Sequence, residues 1–236
     1  MIDLYAMGSP NVVKIYIALE EMGLPYTVHP VDVFGEAQFK PEFLRLNPNA
    51  KVPVITDQDG PGGKPYTLFE SGAILIYLAE KTGQFLPKDT IARFDAIQWM
   101  MVQMTLIGPM FGQFVHFMRF APKGNDYALD RYRTQVRRVL EVLERRLGVV
   151  PFLGGASYSI ADIATCPWAR GAGTFLGEPA EADYPKLMAW VATIDSRPAV
   201  TRALAAVDAV RAKTTAFDKA GDGAKDRLFG RGRHAA

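Results

Sequence analysis

Cysteine is nearly absent from this sequence of 236 residues, and Cys166 is the only one. A single cysteine excludes an internal disulfide. The three histidines, His29, His116 and His234, are scattered along the chain without the short spacing of a metal site. The sequence therefore predicts neither a disulfide framework nor a bound metal.

Long uninterrupted hydrophobic runs are missing as well. The start, Met1–Leu4, lacks the basic segment and the apolar run of a signal peptide. The most apolar stretch, Ile97–Met118, is interrupted by Gln98, Gln103, Gly108, Pro109 and Gln113, whereas a membrane span needs about 20 mostly apolar residues. We interpret it as a buried core helix.

The net charge of +2 argues against a dedicated nucleic-acid binder, so we expect a cytoplasmic protein that binds neither membrane nor nucleic acid.

What the sequence does contain is an alternation of strand and helix patterns in its first 83 residues. Glycines follow the two longer helices at the position where this residue favours helix termination. The predicted elements are a strand (Ile2–Met7), a helix (Val12–Met22), a strand (Tyr26–Val31), a short helix (Pro41–Leu46), two strands (Val52–Thr56 and Tyr66–Phe69) and a helix (Ser71–Thr82). This β-α-β-α-β-β-α order is typical of a thioredoxin-like domain.

Beyond residue 90 the patterns predict helices only, among them Ala128–Leu147, Pro185–Ile194 and Pro198–Val207. Ser159 and Asp162 fit a capping box with aspartate in place of glutamate. The predicted fold class is therefore α/β followed by all-α.

The chain accordingly divides into three predicted parts. Residues 1–83 form an N-terminal thioredoxin-like domain, and residues 91–213 form an all-helical C-terminal domain. Residues 214–236 contain few apolar side chains, so we expect a flexible tail.

The segment Gly8-Ser9-Pro10-Asn11 joins the first strand to the first helix. A thioredoxin-like fold carries its reactive cysteines at this point, and this chain has none there. A purely structural role is equally compatible with the sequence, with Ser9 as N-cap and Pro10 at the first helical position. In the functional interpretation, the helix N-terminus favours an anionic sulfur that another molecule supplies, and Ser9 and Asn11 donate hydrogen bonds to it.

Two further motifs resemble parts of a peptide-binding site. In Lys51-Val52-Pro53 the proline precedes a predicted central strand, where thioredoxin-like folds hold a cis proline and Val52 would pair with a peptide backbone. Glu70-Ser71 starts a helix. Ser71 is a good N-cap and Glu70 a plausible solvated charge, but together they also suit an amino acid head group, with Glu70 binding the ammonium and Ser71 the carboxylate.

With these motifs the chain resembles the glutathione transferases over nearly its whole length, apart from the tail. Within them it is most similar to the bacterial Nu class, which is related to fungal prion-type nitrogen regulators. The resemblance is carried by Gly8–Asn11, Gln38–Phe43, Phe69–Ile74 and Gly108–Gln113. It implies the glutathione transferase fold, a homodimer, and glutathione as cosubstrate. It also implies glutathione-dependent disulfide-bond oxidoreductase activity that uses the glutathione thiolate and no protein cysteine.

The same resemblance assigns roles to individual residues. Ser9 and Asn11 would act on the glutathione sulfur, although the class more usually has threonine at the position of Ser9. The implied glutathione-binding residues are Gln38, Lys51, Val52, Pro53, Glu70, Ser71 and, from the neighbouring subunit, Arg131, whose alternative role is a solvated helix charge.

A second-substrate pocket would lie between the two domains. Its candidate residues are Phe111, Phe114, Phe117 and Trp168, although aromatic residues at helical spacing are as often part of a core. The sequence favours a buried, inert thiol for Cys166. Two other functions stay open: a transferase that conjugates or cleaves an electrophile such as an aryl ether or halo-aromatic compound, and a non-catalytic glutathione-binding regulator.

Overall fold

The computed structural model of the chain describes residues 1–177 and 180–231, and these residues form two compact units. The first unit contains residues 1–74 and the described residues from 201 onward, whereas the second contains residues 75–200. Strands lie in the first unit and the second is helical, so the predicted fold class is confirmed. The described residues from 201 onward, which the sequence assigned to the helical domain and the tail, cluster with the first unit; the predicted domain bounds stay a prediction.

The described part of the first unit contains a sheet of four strands in the order β2-β1-β3-β4. Strand β1 is parallel to β2 and antiparallel to β3, which is antiparallel to β4. The elements are β1 (Ile2–Ala6), α1 (Pro10–Glu21), β2 (Tyr26–Pro30), α2 (Pro41–Leu44), β3 (Val54–Asp57), β4 (Tyr66–Phe69) and α3 (Ser71–Thr82). Strand β3 begins two residues later than predicted because Pro53 lacks the N–H that a ladder hydrogen bond requires.

Helix α1 is buried along most of its length, from Val12 to Leu19. A helix that is apolar on nearly every face has its favourable place in a core, so this one packs inside the unit. It ends at Glu21, one residue before the predicted Met22, and Gly23 adopts the left-handed backbone (φ 65°) that favours helix termination. The burial of α1 fixes its N-terminus, which carries the Ser9–Asn11 motif.

The second unit is built from helices that continue into one another or are joined by turns and loops, such as the loop of residues 148–159. Its elements are α4 (Thr90–Val102), a π-helical turn (Gln103–Ile107), α5 (Gly108–Val115), a second π-helical turn (His116–Phe120), α6 (Asp126–Leu147), α7 (Ile160–Ala169), α8 (Ala172–Leu176), α9 (Ala180–Asp183), α10 (Pro185–Asp195) and the start of α11 (Pro198–Arg211). The apolar stretch 97–118 is helical, and Met100, Ile107 and Phe111 on it are buried, as a core helix requires. No described helix is long and apolar enough to cross a membrane.

The capping box at the start of α7 is present as predicted. The side chain of Ser159 accepts a hydrogen bond from the N–H of Ala161, and the Asp162 carboxylate accepts one from the N–H of Ser159 at 3.0 Å. Both residues are buried, so this helix start is an internal structural feature of the unit.

The C-terminal segment contains a short 3-10 helix (Phe217–Lys219) and α12 (Asp222–Phe229). It contacts the loop after β2: Thr215 donates to Asp32 through its N–H (3.0 Å) and its hydroxyl (2.6 Å). The Arg227 guanidinium lies 4.1 Å from the ring centre of Phe39. The sequence predicted a flexible tail here because few apolar residues are available. The apolar residues that are present nevertheless make contacts, since the rings of Phe217 and Phe34 meet at 5.7 Å and Leu228 packs against the buried cluster of Val31, Val33, Phe43 and Val54. Residues 232–236 of that tail, including His234, lie outside the described residues.

Candidate functional site

The N-terminus of α1 presents Ser9 and Asn11 as the sequence predicts. Ser9 has an extended backbone (φ −118°, ψ 156°), and its carbonyl accepts hydrogen bonds from the N–H groups of Val12 and Val13, both at 2.9 Å. Its side chain makes no capping hydrogen bond. Ser9 therefore occupies the N-cap position without using its hydroxyl as a cap. Pro10 has no N–H, so Asn11 contributes the first main-chain donor of the helix.

The loop before β3 is held in shape by Asn47, which the sequence analysis did not select. Its amide nitrogen donates to the Lys51 carbonyl at 2.8 Å, and its side-chain oxygen accepts from the N–H of Asn49 at 2.9 Å. The Val52–Pro53 peptide bond that follows is cis, as expected at this position of the fold. Asn47 is buried, and the Asn-Pro-Asn turn was the sequence pattern that could have identified it.

Glu70 and Ser71 form the junction between β4 and α3. The Glu70 carbonyl accepts the first helical hydrogen bond, from Ile74 at 2.9 Å, so Glu70 is the N-cap and Ser71 the first helical residue. The expectation that Ser71 is the N-cap is therefore wrong by one residue. Glu70 has a left-handed backbone (φ 68°), which is uncommon outside glycine and recurs where function requires an unusual side-chain direction. Its carboxylate stays exposed next to the buried Ser71.

Behind Ser71 lies Lys14 of α1, a residue that sequence reasoning missed. Its side chain is 0% exposed, and its ammonium nitrogen donates to the Ser71 hydroxyl oxygen at 3.2 Å. Burial lowers the pKa of Lys14 to about 7, although the negative charge of Glu70 acts in the opposite direction. The sequence carried one indication of this burial, because Lys14 interrupts a run of apolar residues that covers every face of α1.

These three segments meet around one cavity in the first unit, with a volume of about 160 Å³. The residues that line it are Asn11, Asn47, Lys51, Val52, Pro53, Glu70 and Ser71. Six of the seven were predicted to act on glutathione, and Asn47 is the addition. Pockets that enclose a small ligand usually measure about 300–1,000 Å³. A tripeptide held here would therefore leave part of its length outside the cavity.

Ser9 and Gln38 are not among the residues that line this cavity. Ser9 lies two residues before Asn11, at the adjoining helix start. Gln38 is 0% exposed, and neither its amide nitrogen nor its amide oxygen has a hydrogen-bond partner among the described residues. A buried unpaired amide costs about 1–3 kcal/mol per unsatisfied group. The role of Gln38 in binding glutathione, which the resemblance implies, stays a prediction.

The residues predicted for a second-substrate pocket lie in the helical unit. Phe111, Phe114 and Trp168 are buried there, and the rings of Phe111 and Trp168 meet edge to face at 6.1 Å. Phe117 is partly exposed and stacks on Tyr132 at 5.5 Å. The burial of three of the four favours the core interpretation, and their pocket role stays a prediction.

Cys166 is buried in α7, and burial strongly raises the pKa of its thiol. A thiol in this state is a poor nucleophile, because the reactive form is the thiolate. No cluster of three histidine, cysteine, aspartate or glutamate side chains able to hold a metal occurs in residues 1–177 and 180–231.

Comparison with known proteins identifies the family. Residues 8–81 match the model of the N-terminal domain of glutathione S-transferase, and residues 98–198 match that of its C-terminal domain. The chain belongs to the glutathione S-transferase family. The resemblance inferred from the motifs is thus confirmed for the family.

Three relatives show how this family member compares with characterised proteins. The chain is 47% identical to the disulfide-bond oxidoreductase YfcG of Escherichia coli, over 86% of this chain and 94% of that protein. It is similar to a glutathione transferase of Burkholderia graminis with two glutathione molecules bound per subunit (49% identity, TM-score 0.80, 86% and 87% of the chains). It is also similar to a glutathione transferase of Pseudomonas putida with one glutathione disulfide bound per subunit (42% identity, TM-score 0.80, 86% and 90% of the chains).

Proposed function

We propose that this protein is a glutathione-dependent disulfide-bond oxidoreductase whose reactive thiolate belongs to bound glutathione. The observation that carries this proposal is where the protein's only thiol lies relative to the candidate site. A cavity with polar lining residues lies at the N-terminus of α1, whereas the only cysteine of the chain is buried, with its thiol pKa raised. The 47% identity to a disulfide-bond oxidoreductase supports the same reaction.

The reaction balances without a protein thiol. The thiolate of the first glutathione attacks one sulfur of the substrate disulfide, a mixed disulfide forms, and the other sulfur leaves as a thiolate that takes up a proton. A second glutathione thiolate then attacks the glutathione sulfur of the mixed disulfide. Glutathione disulfide and the second thiol are released, so two electrons pass from two glutathione molecules to the substrate.

Ser9 and Asn11 stabilise the glutathione thiolate in this proposal. A serine hydroxyl is so weakly acidic that it stays protonated near neutral pH, and it therefore cannot take up the thiol proton. Ser9 instead donates a hydrogen bond to the sulfur. Its hydroxyl is not used as a helix cap, which leaves it available for this role. The positive end of the α1 dipole favours the thiolate in addition.

The remaining cavity residues hold the peptide. Val52 and Pro53 accompany the cysteinyl backbone, Glu70 binds the γ-glutamyl ammonium, and Ser71 binds the γ-glutamyl carboxylate. Lys51, which lines the same cavity, supplies a positive charge for a peptide with a net negative charge. Gln38 extends the site towards the other end of the peptide.

We further propose a Nu-class homodimer that works in the cytoplasm, in which Arg131 of each subunit completes the site of the other. Arg131 is exposed, as a residue that serves a neighbouring subunit must be. Light scattering measures the oligomeric state. Mixing the impaired variants Ser9→Ala and Arg131→Ala should restore part of the activity, because each mixed dimer then contains one intact site, whereas no recovery would refute the shared site.

The test of the activity is glutathione-dependent reduction of 2-hydroxyethyl disulfide, with glutathione disulfide formation followed by coupled glutathione reductase. Ser9→Ala removes a hydrogen bond to an anion, worth about 1.5–3 kcal/mol, so kcat/KM should fall about 10- to 150-fold. Asn11→Ala should also lower it, whereas Ser9→Thr should retain most activity because the hydroxyl is kept. Ser157→Ala, at an exposed position of the helical unit, is the matched control.

Two outcomes would replace this proposal. Conjugation of a halo-aromatic substrate without disulfide reduction would show a transferase acting on electrophiles. Glutathione binding without turnover of either substrate would show a non-catalytic regulator. Loss of disulfide reduction in Cys166→Ala, with the fold intact, would contradict the assignment of the thiolate to glutathione.

A further inference from the structure

Lys14 is a fully buried lysine next to a site for which its side chain has no assigned role. Lysine is almost never fully buried unless it is paired, because removing its charge from water costs several kcal/mol. Its ammonium nitrogen lies 3.2 Å from the Ser71 hydroxyl oxygen, and Ser71 lines the cavity. The burial of this particular side chain against this particular residue suggests a function at the site.

The direction of the hydrogen bond between Lys14 and Ser71 carries the inference. A lysine ammonium has three donors and no acceptor, whereas a serine hydroxyl has one proton and two lone pairs. When Lys14 is protonated, the Ser71 oxygen must accept, and the Ser71 proton has to point elsewhere. Because Ser71 lines the cavity, an acceptor bound there can compete for that proton.

We propose that Lys14 is a positioning residue of the glutathione site, whose buried ammonium holds the Ser71 hydroxyl as a donor towards the γ-glutamyl carboxylate. This inference rests on the proposed function, which places that carboxylate at Ser71. Deprotonated Lys14 would be able to accept the Ser71 proton, and the hydroxyl would then turn inward. Lys14 therefore acts on the peptide through Ser71.

The charges around Lys14 make ligand binding and protonation depend on each other. Glu70, at the junction that carries Ser71, is the charged group whose field acts on Lys14. On α1 itself, the residues one turn away, Asn11 and Ala18, carry no charge. A bound γ-glutamyl group places its ammonium on Glu70 and its carboxylate near Lys14. Binding thus weakens the attraction between Glu70 and Lys14, because the ligand ammonium pairs with Glu70. The ligand carboxylate adds a second negative charge near Lys14, and this charge favours the protonated lysine.

Proton uptake on binding is the measurement that a merely structural lysine would not produce. Burial lowers the pKa of Lys14 to about 7, so a negative charge that binds next to it can raise its proton occupancy near neutral pH. We expect S-methylglutathione to bind with uptake of a fraction of a proton per site. Calorimetric titration in buffers of different ionisation enthalpy gives this number. The methylated sulfur is essential, because a free thiol would release a proton as it becomes a thiolate.

Variants separate the role of the lysine from general damage to the protein. In Lys14→Met the proton uptake should disappear, and the affinity for S-methylglutathione should fall about tenfold at pH 7, the usual size of one hydrogen bond to a charged group. Binding of S-methylcysteinylglycine, which lacks the γ-glutamyl group, should not change. Lys64→Met is the matched control, because Lys64 is exposed in the turn at the opposite end of the β3–β4 hairpin.

A double-mutant cycle tests whether Lys14 acts through Ser71. If it does, Lys14→Met should weaken S-methylglutathione binding far less in a Ser71→Ala background than in the wild type. Lys14→Gln provides a second variant, which keeps an N–H donor but should abolish proton uptake.

The results distinguish the two proposals. Failure of the wild type to bind S-methylglutathione would overturn the glutathione site itself, and this inference with it. Binding by the wild type without proton uptake, or additive effects of the Lys14 and Ser71 substitutions, would overturn the role of Lys14 alone. The proton measurement on the wild type decides the question even if a variant fails to fold.

Discussion

Among single substitutions in the helical unit, we expect the replacement of Asp162 to lower the free energy of unfolding the most, because its carboxylate is buried and hydrogen-bonded. One of its oxygens accepts hydrogen bonds from the N–H of Leu153 at 2.8 Å and from the indole N–H of Trp190 at 3.0 Å. The other accepts from the N–H and the hydroxyl of Ser159 at 3.0 and 3.1 Å. Asp162 thereby joins the start of α7, the loop before it and α10.

Replacing Asp162 with alanine would leave three buried N–H donors without an acceptor. Each costs about 1–3 kcal/mol, and water entering the new space would recover part of it. We therefore expect the free energy of unfolding to fall by about 3–6 kcal/mol, out of the roughly 5–15 kcal/mol that stabilises a typical domain. At about 2–4 °C per kcal/mol for a chain of this size, the melting temperature should fall by roughly 10–20 °C.

The matched control is Asp89→Ala. Asp89 also caps a helix, since its side chain accepts from the N–H of Ala92 at 3.0 Å, but it is exposed. This substitution should cost only about 0.5–2 kcal/mol. Asp162→Asn should fall between the two, because it keeps one acceptor oxygen. Urea unfolding and thermal unfolding of the variants measure these differences, and equal losses in Asp162→Ala and Asp89→Ala would refute the reasoning.

Three further predictions follow from individual contacts. Cys166→Ala should change disulfide reduction less than about twofold, because burial keeps this thiol out of the reaction; steady-state kinetics with the variant measure this. The hydrogen bond from His29, at 2.8 Å, lowers the pKa of Asp3, so its stabilisation is present above the unfolded-state pKa of about 3.9 and is lost as pH falls through the lowered folded value. The difference in unfolding free energy between wild type and Asp3→Asn should therefore shrink as the pH is lowered below about 4. Thr215→Val, which removes the hydroxyl donor to Asp32 at 2.6 Å, should cost about 1–3 kcal/mol in urea unfolding.

Local patterns predicted the elements of the first unit because each element there has a clear beginning and end. Residue bounds of β4 and α3 match the prediction, and the glycine after α1 adopts the expected left-handed backbone. The errors lie at junctions. Ser71 is an excellent N-cap by propensity, yet the preceding residue, Glu70, holds that position in a left-handed conformation. Propensity describes isolated helices, whereas the position of Glu70 depends on the strand and the cavity around it.

Residues that line the cavity directly could be predicted from the sequence. Residues that act on the site only through another residue could not. Glu70 and Val52 stand in motifs whose chemistry suggests a peptide. Asn47 acts on the Lys51 carbonyl within a local turn, whose pattern could have been recognised in the sequence. Lys14 acts on Ser71, 57 residues further along the chain, and such a contact arises only when distant segments meet in the fold. The contacts of the C-terminal segment escaped prediction for the same reason, since the partner of Thr215 lies 183 residues earlier in the sequence.

The missing cysteine at the start of α1 has a thermodynamic consequence for the proposed reaction. A thioredoxin-type protein has its own reduction potential, because its thiols store the two electrons. A protein whose only thiol is buried and protonated cannot store them. The equilibrium between substrate disulfide and thiols is then set by the glutathione couple, and the residues around the cavity determine only how fast that equilibrium is reached. Substitutions at Ser9 or Lys14 should therefore change the rate in both directions by the same factor, since a catalyst cannot shift an equilibrium between free substrates and products.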